Sequence, residues 1–582
     1  MRPEKITRCF AVLAVLPSLA VAGSAPSRSG PRLARDWPQL AAGVPIPVWV
    51  FLDAKPRELA PIELGDRARA RLRRAGAPPS EHDQPVAPTD VSSIAARVTR
   101  VRMQSRWLNA VSVEATPEQI ASLSTLPRVR SLERVAAGRG DGRLERSHRT
   151  TSPRHLPDLT AIDYGASYDQ LQMLQIPALH ALGLSGRGVL VAHFDTGYDL
   201  LTHACFNTTR ITATWDFVDD DLDVSVDPRS GDDGSHGIYT LSVLAGNRAG
   251  ELIGAAYGAN FALARTERSS IETASEEDLW IAALEWADAL GADIVSSSLR
   301  FLETRLPGSG YTWRDMDGAT ALVTRAANLA ALRGMLVVNG AGNEGEQRYR
   351  NTLVAPADGV NVLAVGAVGF DGLRVNFSSV GPTTDKPPRL KPDVMAPGQS
   401  VYAADPYGFD GYTQISGTSL STPLVAGVVA LLLEAYPEAT PLQILAALRA
   451  TSSQSNRPDR RMGWGIVRGL AAHTYIPAIT AAATPLTARF TLAVSNPWRT
   501  HGSLQFTLPE PAAVTLRLFD VRGRSVRTLV DTTQPARAHA IAWDGTDDSG
   551  RPLAAGTYLA QLHAAPADRP SWDAVRKITL VR

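Results

Sequence analysis

The chain has 582 residues, a length that predicts several domains and not one compact module. Hydrophobic residues at 44% and charged residues at 20% describe a chain able to bury cores, which excludes a disordered or fibrous protein. The balance of 59 Lys plus Arg against 58 Asp plus Glu argues against nucleic acid as a partner, and the only cysteines, Cys9 and Cys205, exclude a disulfide scaffold or a four-cysteine metal site.

At the N-terminus Arg2, Lys5 and Arg8 precede an apolar run from Cys9 to Ala22 that ends in Ala20-Val21-Ala22. This layout predicts a secretory signal peptide over residues 1–22, because the run is shorter than the ~20 apolar residues needed to span a bilayer. Export to the cell surface or beyond follows. No later segment reads as membrane-spanning; the most apolar one, Leu424 to Leu433, reads as a buried helix. Cys205 then remains as the one thiol of the mature chain, expected to be packed and inert.

Residues 23–44, rich in Ser, Pro, Arg and Ala, read as a loose leader. PVWVFLD from Pro47 and LNAVSV from Leu108 to Val113 read as strands, and Val129 to Val135 as a third. Between the last two, Thr116 caps a helix that begins at Pro117 and repeats apolar residues at Ile120, Leu123 and Leu126. This pattern resembles the inhibitor-type propeptide of the subtilisin-like serine peptidases. That resemblance implies a small α+β unit over residues 23–150 that assists folding and blocks the active site. Ala136 to Pro153, crowded with Arg, Gly and Ser, reads as a cleavable linker.

Four separated motifs follow. GVLVAHF (Gly188 to Phe194) predicts a buried strand delivering Asp195 at its C-terminal edge, where open α/β sheets place their sites. His236, in Gly234-Ser235-His236-Gly237, stands at the start of a predicted helix. Val337 and Val338 end a strand before Asn339-Gly340-Ala341-Gly342-Asn343. Ile415-Ser416-Gly417-Thr418-Ser419 turns tightly into the apolar helical run, leaving Ser419 at a helix N-terminus that favours developing negative charge.

Asp195, His236 and Ser419, in that order and each in its motif, resemble the subtilisin family of serine peptidases over roughly residues 160–475. The resemblance implies an α/β fold with a mostly parallel sheet flanked by helices. It further implies a catalytic triad of Asp195, His236 and Ser419, with Asn343 as side-chain donor to the oxyanion. Ser298, Leu299 and Arg300 match the family's substrate-binding edge, which pairs with extended polypeptide substrates. Arg300 replaces the usual glycine, and is expected either to narrow that edge or to favour acidic substrate residues. Gly237-Ile238-Tyr239 follows His236 where the family usually has Gly-Thr-His, so a helper hydroxyl and a second histidine are expected to be missing.

The chemistry requires no cofactor. Two acidic stretches, Asp216 to Asp223 and Asp315-Met316-Asp317-Gly318, are open to two readings, structural calcium or solvated loops, and neither matches an EF-hand. After His473 the composition turns toward Thr, Ala and Pro. Residues 484–582 then show short strands at Phe506–Leu508, Val514–Phe519, Ser525–Val530, His539–Trp543 and Gly556–Leu562 between Gly and Asp turns, predicting a β-sandwich. Trp543-Asp544-Gly545 and Ala555-Gly556-Thr557-Tyr558 resemble the immunoglobulin-like repeat of flagellar hook-capping proteins and the tails of secreted bacterial enzymes, where sorting, binding and spacing are all open roles. The resulting expectation is a secreted serine endopeptidase made as a zymogen. A catalytically silent binding protein on the same scaffold, or an acyl transferase using the same triad, are the alternatives.

Overall fold

The computed structural model describes residues 24–136 apart from 57 and 78–79, then 145–146, 162–269, 276–302 and 310–481. In the C-terminal region it describes 491–494, 498–499, 502–508, 512–534, 538–566 and 571–581. The expected signal peptide and most of the expected linker lie outside these residues. The chain divides into two compact units, Met1–Ile476 and Pro477–Arg582.

The first unit opens with a four-stranded antiparallel sheet in which Ile46–Leu52 lies between Ala110–Ala115 and Val129–Arg134, with Arg100–Ser105 at the edge. Ile46–Leu52 is apolar throughout because both faces are covered. Val48, Val50 and Leu52 point into a core shared with Ile94, Ile120 and Leu123. Trp49 and Phe51 point the other way, into a core shared with Trp280, Leu284 and Val323. The Pro117–Ser124 helix carries the expected cap, with Thr116 and Gln119 forming a reciprocal capping box. Residues 24–44 are not loose: Pro31–Asp36 is helical, and Leu33, Trp37 and Leu40 are buried in the small core. The polar composition of that stretch concealed three well-spaced apolar anchors.

The larger part of this unit is built on a seven-stranded sheet in the order Val394–Pro397, Leu363–Val368, Leu336–Gly340, Ile294–Ser297, Leu190–Asp195, Asn260–Arg265, Arg210–Asp216. Every neighbouring pair in it is parallel. Such sheets bury both faces, which is why inner strands such as Leu190–Asp195 and Leu363–Val368 are buried along their whole length, while the edge strand Arg210–Asp216 is more polar and partly exposed. Helix Thr418–Ala435 packs across four of these strands and beside helix Ser235–Ala245. By length and composition it is apolar enough to cross a membrane, but 83% of it is buried in the fold.

Helix Glu276–Leu290 joins the two parts. Its Asp278 accepts hydrogen bonds from Arg102 Nε (2.8 Å) and from Ser112, its Glu285 from Ser105 Oγ (2.5 Å) and Arg106 N (3.0 Å), and its Asp288 from Arg106 Nη2 (2.6 Å) and from Arg71. Glu277 accepts from Ala136 N at 3.0 Å. Buried carboxylates on one part are thus met by arginines and N–H groups of the other, as burial of charge demands.

The C-terminal unit forms two antiparallel-rich sheets. The smaller has Gly502–Thr507 between Thr491–Val494 and Ala538–Trp543. The larger centres on Ala512–Asp520, Gly556–Pro566 and Trp572–Val581, the last a strand beyond those expected. Trp498, Trp543, Leu516, Leu562 and Ile578 fill the core, and Tyr558 OH donates to Ala554 O at 2.9 Å.

Candidate active site

Asp195 ends strand Leu190–Asp195 at the sheet's C-terminal edge and is fully buried. Its Oδ1 accepts from Thr196 N at 2.8 Å and faces His236 Nδ1 at 2.6 Å. His236 lies in the first turn of helix Ser235–Ala245. Burial alone would raise the Asp195 carboxyl, but the adjacent imidazole and these hydrogen bonds hold it below the ordinary carboxylate value.

A hydroxyl is present after all. Thr240, one helical turn beyond His236, donates from Oγ1 to Asp195 Oδ2 at 2.8 Å. A second histidine also lies close: His193 shares the strand face of Asp195 two residues earlier, and its Nδ1 is 2.8 Å from Tyr198 OH. Burial lowers that imidazole to about 4. Neither group stands at the family's own positions after His236; the four-residue spacing from His236 to Thr240 is the sequence signal for the hydroxyl.

Ser419 is 1% exposed, in the first turn of helix Thr418–Ala435. Strand Ile294–Ser297 runs parallel to the Asp195 strand with Ser297 opposite Phe194, which brings Ser298 level with Asp195. Ser298 Oγ then donates to Ser419 O at 3.0 Å. Pro423, four residues on, has no N–H for that carbonyl, and Ser298 supplies the donor the helix lacks. On the other flank, Asn343 Oδ1 accepts from Thr418 N and Thr418 Oγ1, each at 2.9 Å. With its oxygen committed to Thr418, what the Asn343 amide has to offer is its N–H donors. Leu299 is buried, while Arg300 is paired with Glu344, the residue after Asn343.

The fold therefore brings an aspartate–histidine pair, a serine at a helix N-terminus and an asparagine amide to one edge of a parallel sheet. The chain matches the model of the subtilase family over residues 186–465. It is 32% identical over 294 residues to subtilisin of Bacillus pumilus, covering 50% of this chain and 92% of that one. The chain belongs to the subtilase family. Subtilisin DY of Bacillus licheniformis is 30% identical over 285 residues, covering 49% of this subtilase and 90% of the relative. Subtilisin NAT of Bacillus subtilis subsp. natto is 32% identical over 294 residues, 50% of this chain, and the match spans 66% of its length, just under two thirds. Residues 47–150 match the Peptidase S8 propeptide domain of Bacteroidota, and residues 495–568 the FlgD Ig-like domain. Among solved structures, fervidolysin from Fervidobacterium pennivorans, described as a keratinolytic enzyme related to subtilisin, shares the fold with a TM-score of 0.54. The identity is 19%, over 93% of this chain and 80% of that one.

Several carboxylates of the acidic stretches already have protein partners. Asp216 and Asp219 each accept from Arg265 Nη1 at 2.7 Å, and Asp219 also from Arg268 Nη2 at 2.9 Å. Asp317 Oδ1 is taken by the N–H groups of Ala319 and Thr320. Among the described residues no group of three or more His, Cys, Asp or Glu side chains could hold a metal. Cys205 is buried, and burial pushes its thiol up to about 12, as expected of a packed cysteine.

Proposed function

We propose that this subtilase is a secreted serine endopeptidase made as a zymogen. In this reading Ser419 Oγ attacks the peptide carbonyl, His236 takes its proton and returns it to the leaving amine, and Asp195 fixes the imidazole tautomer and stabilises the imidazolium. The Asn343 amide and the backbone N–H of Ser419 hold the oxyanion. The observation that carries the reading is the 2.6 Å contact from His236 Nδ1 to Asp195 Oδ1, reinforced by Thr240, beside the Ser419 turn. A base must be neutral to accept a proton, so activity belongs at neutral to alkaline pH.

The propeptide reading has its own support. Glu145 and Arg146 pair antiparallel with Ser416 and Ile415, extending the hairpin that leads into the Ser419 turn. A chain held in that place stands where the access to Ser419 would be obstructed, and residues that follow it would be cut to release the mature enzyme. Residues 1–22 direct export, and the C-terminal sandwich acts as a sorting or spacing module.

Expression of the wild type and Ser419→Ala, with mass spectrometry of each chain, tests this. The wild type should lose its propeptide and digest denatured casein, and Ser419→Ala should do neither. Two intact, inactive chains would leave a silent binding protein on a peptidase scaffold.

A further inference from the structure

We propose that Arg300 and Glu344 form an ion-paired wall that restricts the substrate residue before the scissile bond to a small neutral side chain: Gly, Ala or Ser. This rests on the peptidase reading and adds to it a class of substrate.

Two segments flank the Ser419 turn, and each is tied to it. Ser298 bonds the Ser419 carbonyl on one side, and Asn343 bonds Thr418 on the other. Arg300 lies two residues beyond Ser298 and Glu344 one residue beyond Asn343, and their side chains meet in a salt bridge. The bridge therefore spans the gap between the two flanking segments.

A third side is filled as well. Phe301 N donates to Ala355 O at 3.0 Å, which draws residues 354–355 against the Arg300 edge. A Cβ placed on Gly342 would stand only 2.8 Å from Val354 Cγ1, so the Val354 side chain packs directly over the backbone next to Asn343. Val354 is fully buried and Arg300 is 9% exposed.

The substrate carbonyl attacked by Ser419 must direct its oxygen toward Asn343. The β-carbon of the same residue lies only about 2.5 Å from that carbonyl carbon. In this proposal its side chain takes the space between the Ser298–Arg300 and Asn343–Glu344 segments, the two that flank the Ser419 turn, where Arg300, Glu344 and Val354 leave little room. Charge does not open it. An acidic side chain that sought Arg300 would meet Glu344, and a basic one that sought Glu344 would meet Arg300, each having to displace an existing partner. Of the two expectations for Arg300, narrowing of the edge is the one this pairing supports, and Glu344 is the reason.

The test is the set of bonds cut in denatured casein by the mature wild type, read by mass spectrometry, together with kcat/KM on tetrapeptide p-nitroanilides that vary in the last residue. Gly, Ala and Ser should dominate. Arg300→Gly should raise kcat/KM for Phe or Leu relative to Ala by about tenfold or more, the scale on which pocket size discriminates. Glu344→Gln removes the paired carboxylate and should confer a comparable gain for Glu or Asp. Should Arg300→Gly fail to mature, the exchange Arg300→Glu with Glu344→Arg rebuilds the wall and should restore the wild-type preference. A wild type that processes itself and digests casein, yet cuts as readily after Phe, Lys or Glu as after Ala, overturns this inference alone. A wild type that neither processes itself nor digests casein overturns the peptidase reading beneath it.

Discussion

Thr240 Oγ1 lies 2.8 Å from Asp195 Oδ2 while His236 Nδ1 lies 2.6 Å from Asp195 Oδ1, so each oxygen of the fully buried carboxylate is engaged by the same helix. The hydroxyl also lies 3.1 Å from His236 O, one turn back, but an ionised carboxylate is the stronger acceptor. Under the proposed mechanism Thr240 is a positioning residue: it holds the carboxylate that would fix the imidazole.

Thr240→Val keeps the shape of the side chain and deletes this donor. A hydrogen bond to a charged group is worth about 1.5–3 kcal/mol. We expect kcat to fall by about 10- to 100-fold with KM little changed, and Thr240→Ser to recover most of the loss. The acidic limb of the pH–rate profile, set by protonation of His236, should move upward, since a carboxylate that has lost a donor holds the imidazolium more tightly. An unchanged kcat and profile in Thr240→Val would assign the threonine to helix packing alone.

Arg106 Nη2 meets Asp288 Oδ2 at 2.6 Å, as does Arg333 Nη2 at 2.8 Å, while Arg71 donates to Oδ1 of the same carboxylate. Burial alone would raise the Asp288 carboxyl, but these guanidinium groups hold it below the usual value. Without Arg106, Asp288 keeps Arg71 and Arg333, so the loss stays below the about 3–5 kcal/mol of a buried pair broken outright. Arg106→Met should therefore loosen the propeptide, and the lag before activity appears in a freshly processed preparation should shorten about tenfold or more. A lag equal to that of the wild type would show that the interface does not depend on this arginine.

Asp358 is fully buried, and burial raises its carboxyl to about 6 although Thr324 Oγ1 (2.6 Å) and Gly318 N (2.7 Å) donate to it. The folded chain holds this proton more tightly than the unfolded chain does. The associated stability is full below about pH 4 and is lost as pH rises through about 6, a change of about 3 kcal/mol. In the Ser419→Ala background, which avoids self-digestion, denaturant titrations across that window should show the decline. Asp358→Asn should flatten it, because an amide does not titrate.

Cys205 is buried with its thiol pushed up to about 12. A thiol reagent at about pH 8 should leave the native mature chain unlabelled and mark a single thiol after denaturation. Rapid labelling of the native protein would place this side chain in an accessible site.

Much of the fold was already legible in the sequence. The motifs around Asp195, His236, Asn343 and Ser419 are local: each is a strand end or a helix start whose apolar periodicity and small residues can be read within about ten positions. The same holds for the capped Pro117–Ser124 helix and for most of the sandwich strands. Apart from strand Trp572–Val581, what escaped depends chiefly on non-local partners. The leader residues Leu33, Trp37 and Leu40 are unremarkable until strand Val129–Arg134 and its neighbours supply a core for them. The acidic stretch at Asp216 and Asp219 suggests a cation only while Arg265, brought alongside by a parallel strand, is unseen. Thr240 and Glu344 acquire their roles from partners 45 and 44 residues away. The sequence alone determined which chemical groups stand at the ends of which elements, because those choices follow from short-range backbone preferences. The tertiary structure decided which charges neutralise one another and how much room is left beside Ser419, because Coulomb interactions and packing depend on distance in space and not along the chain.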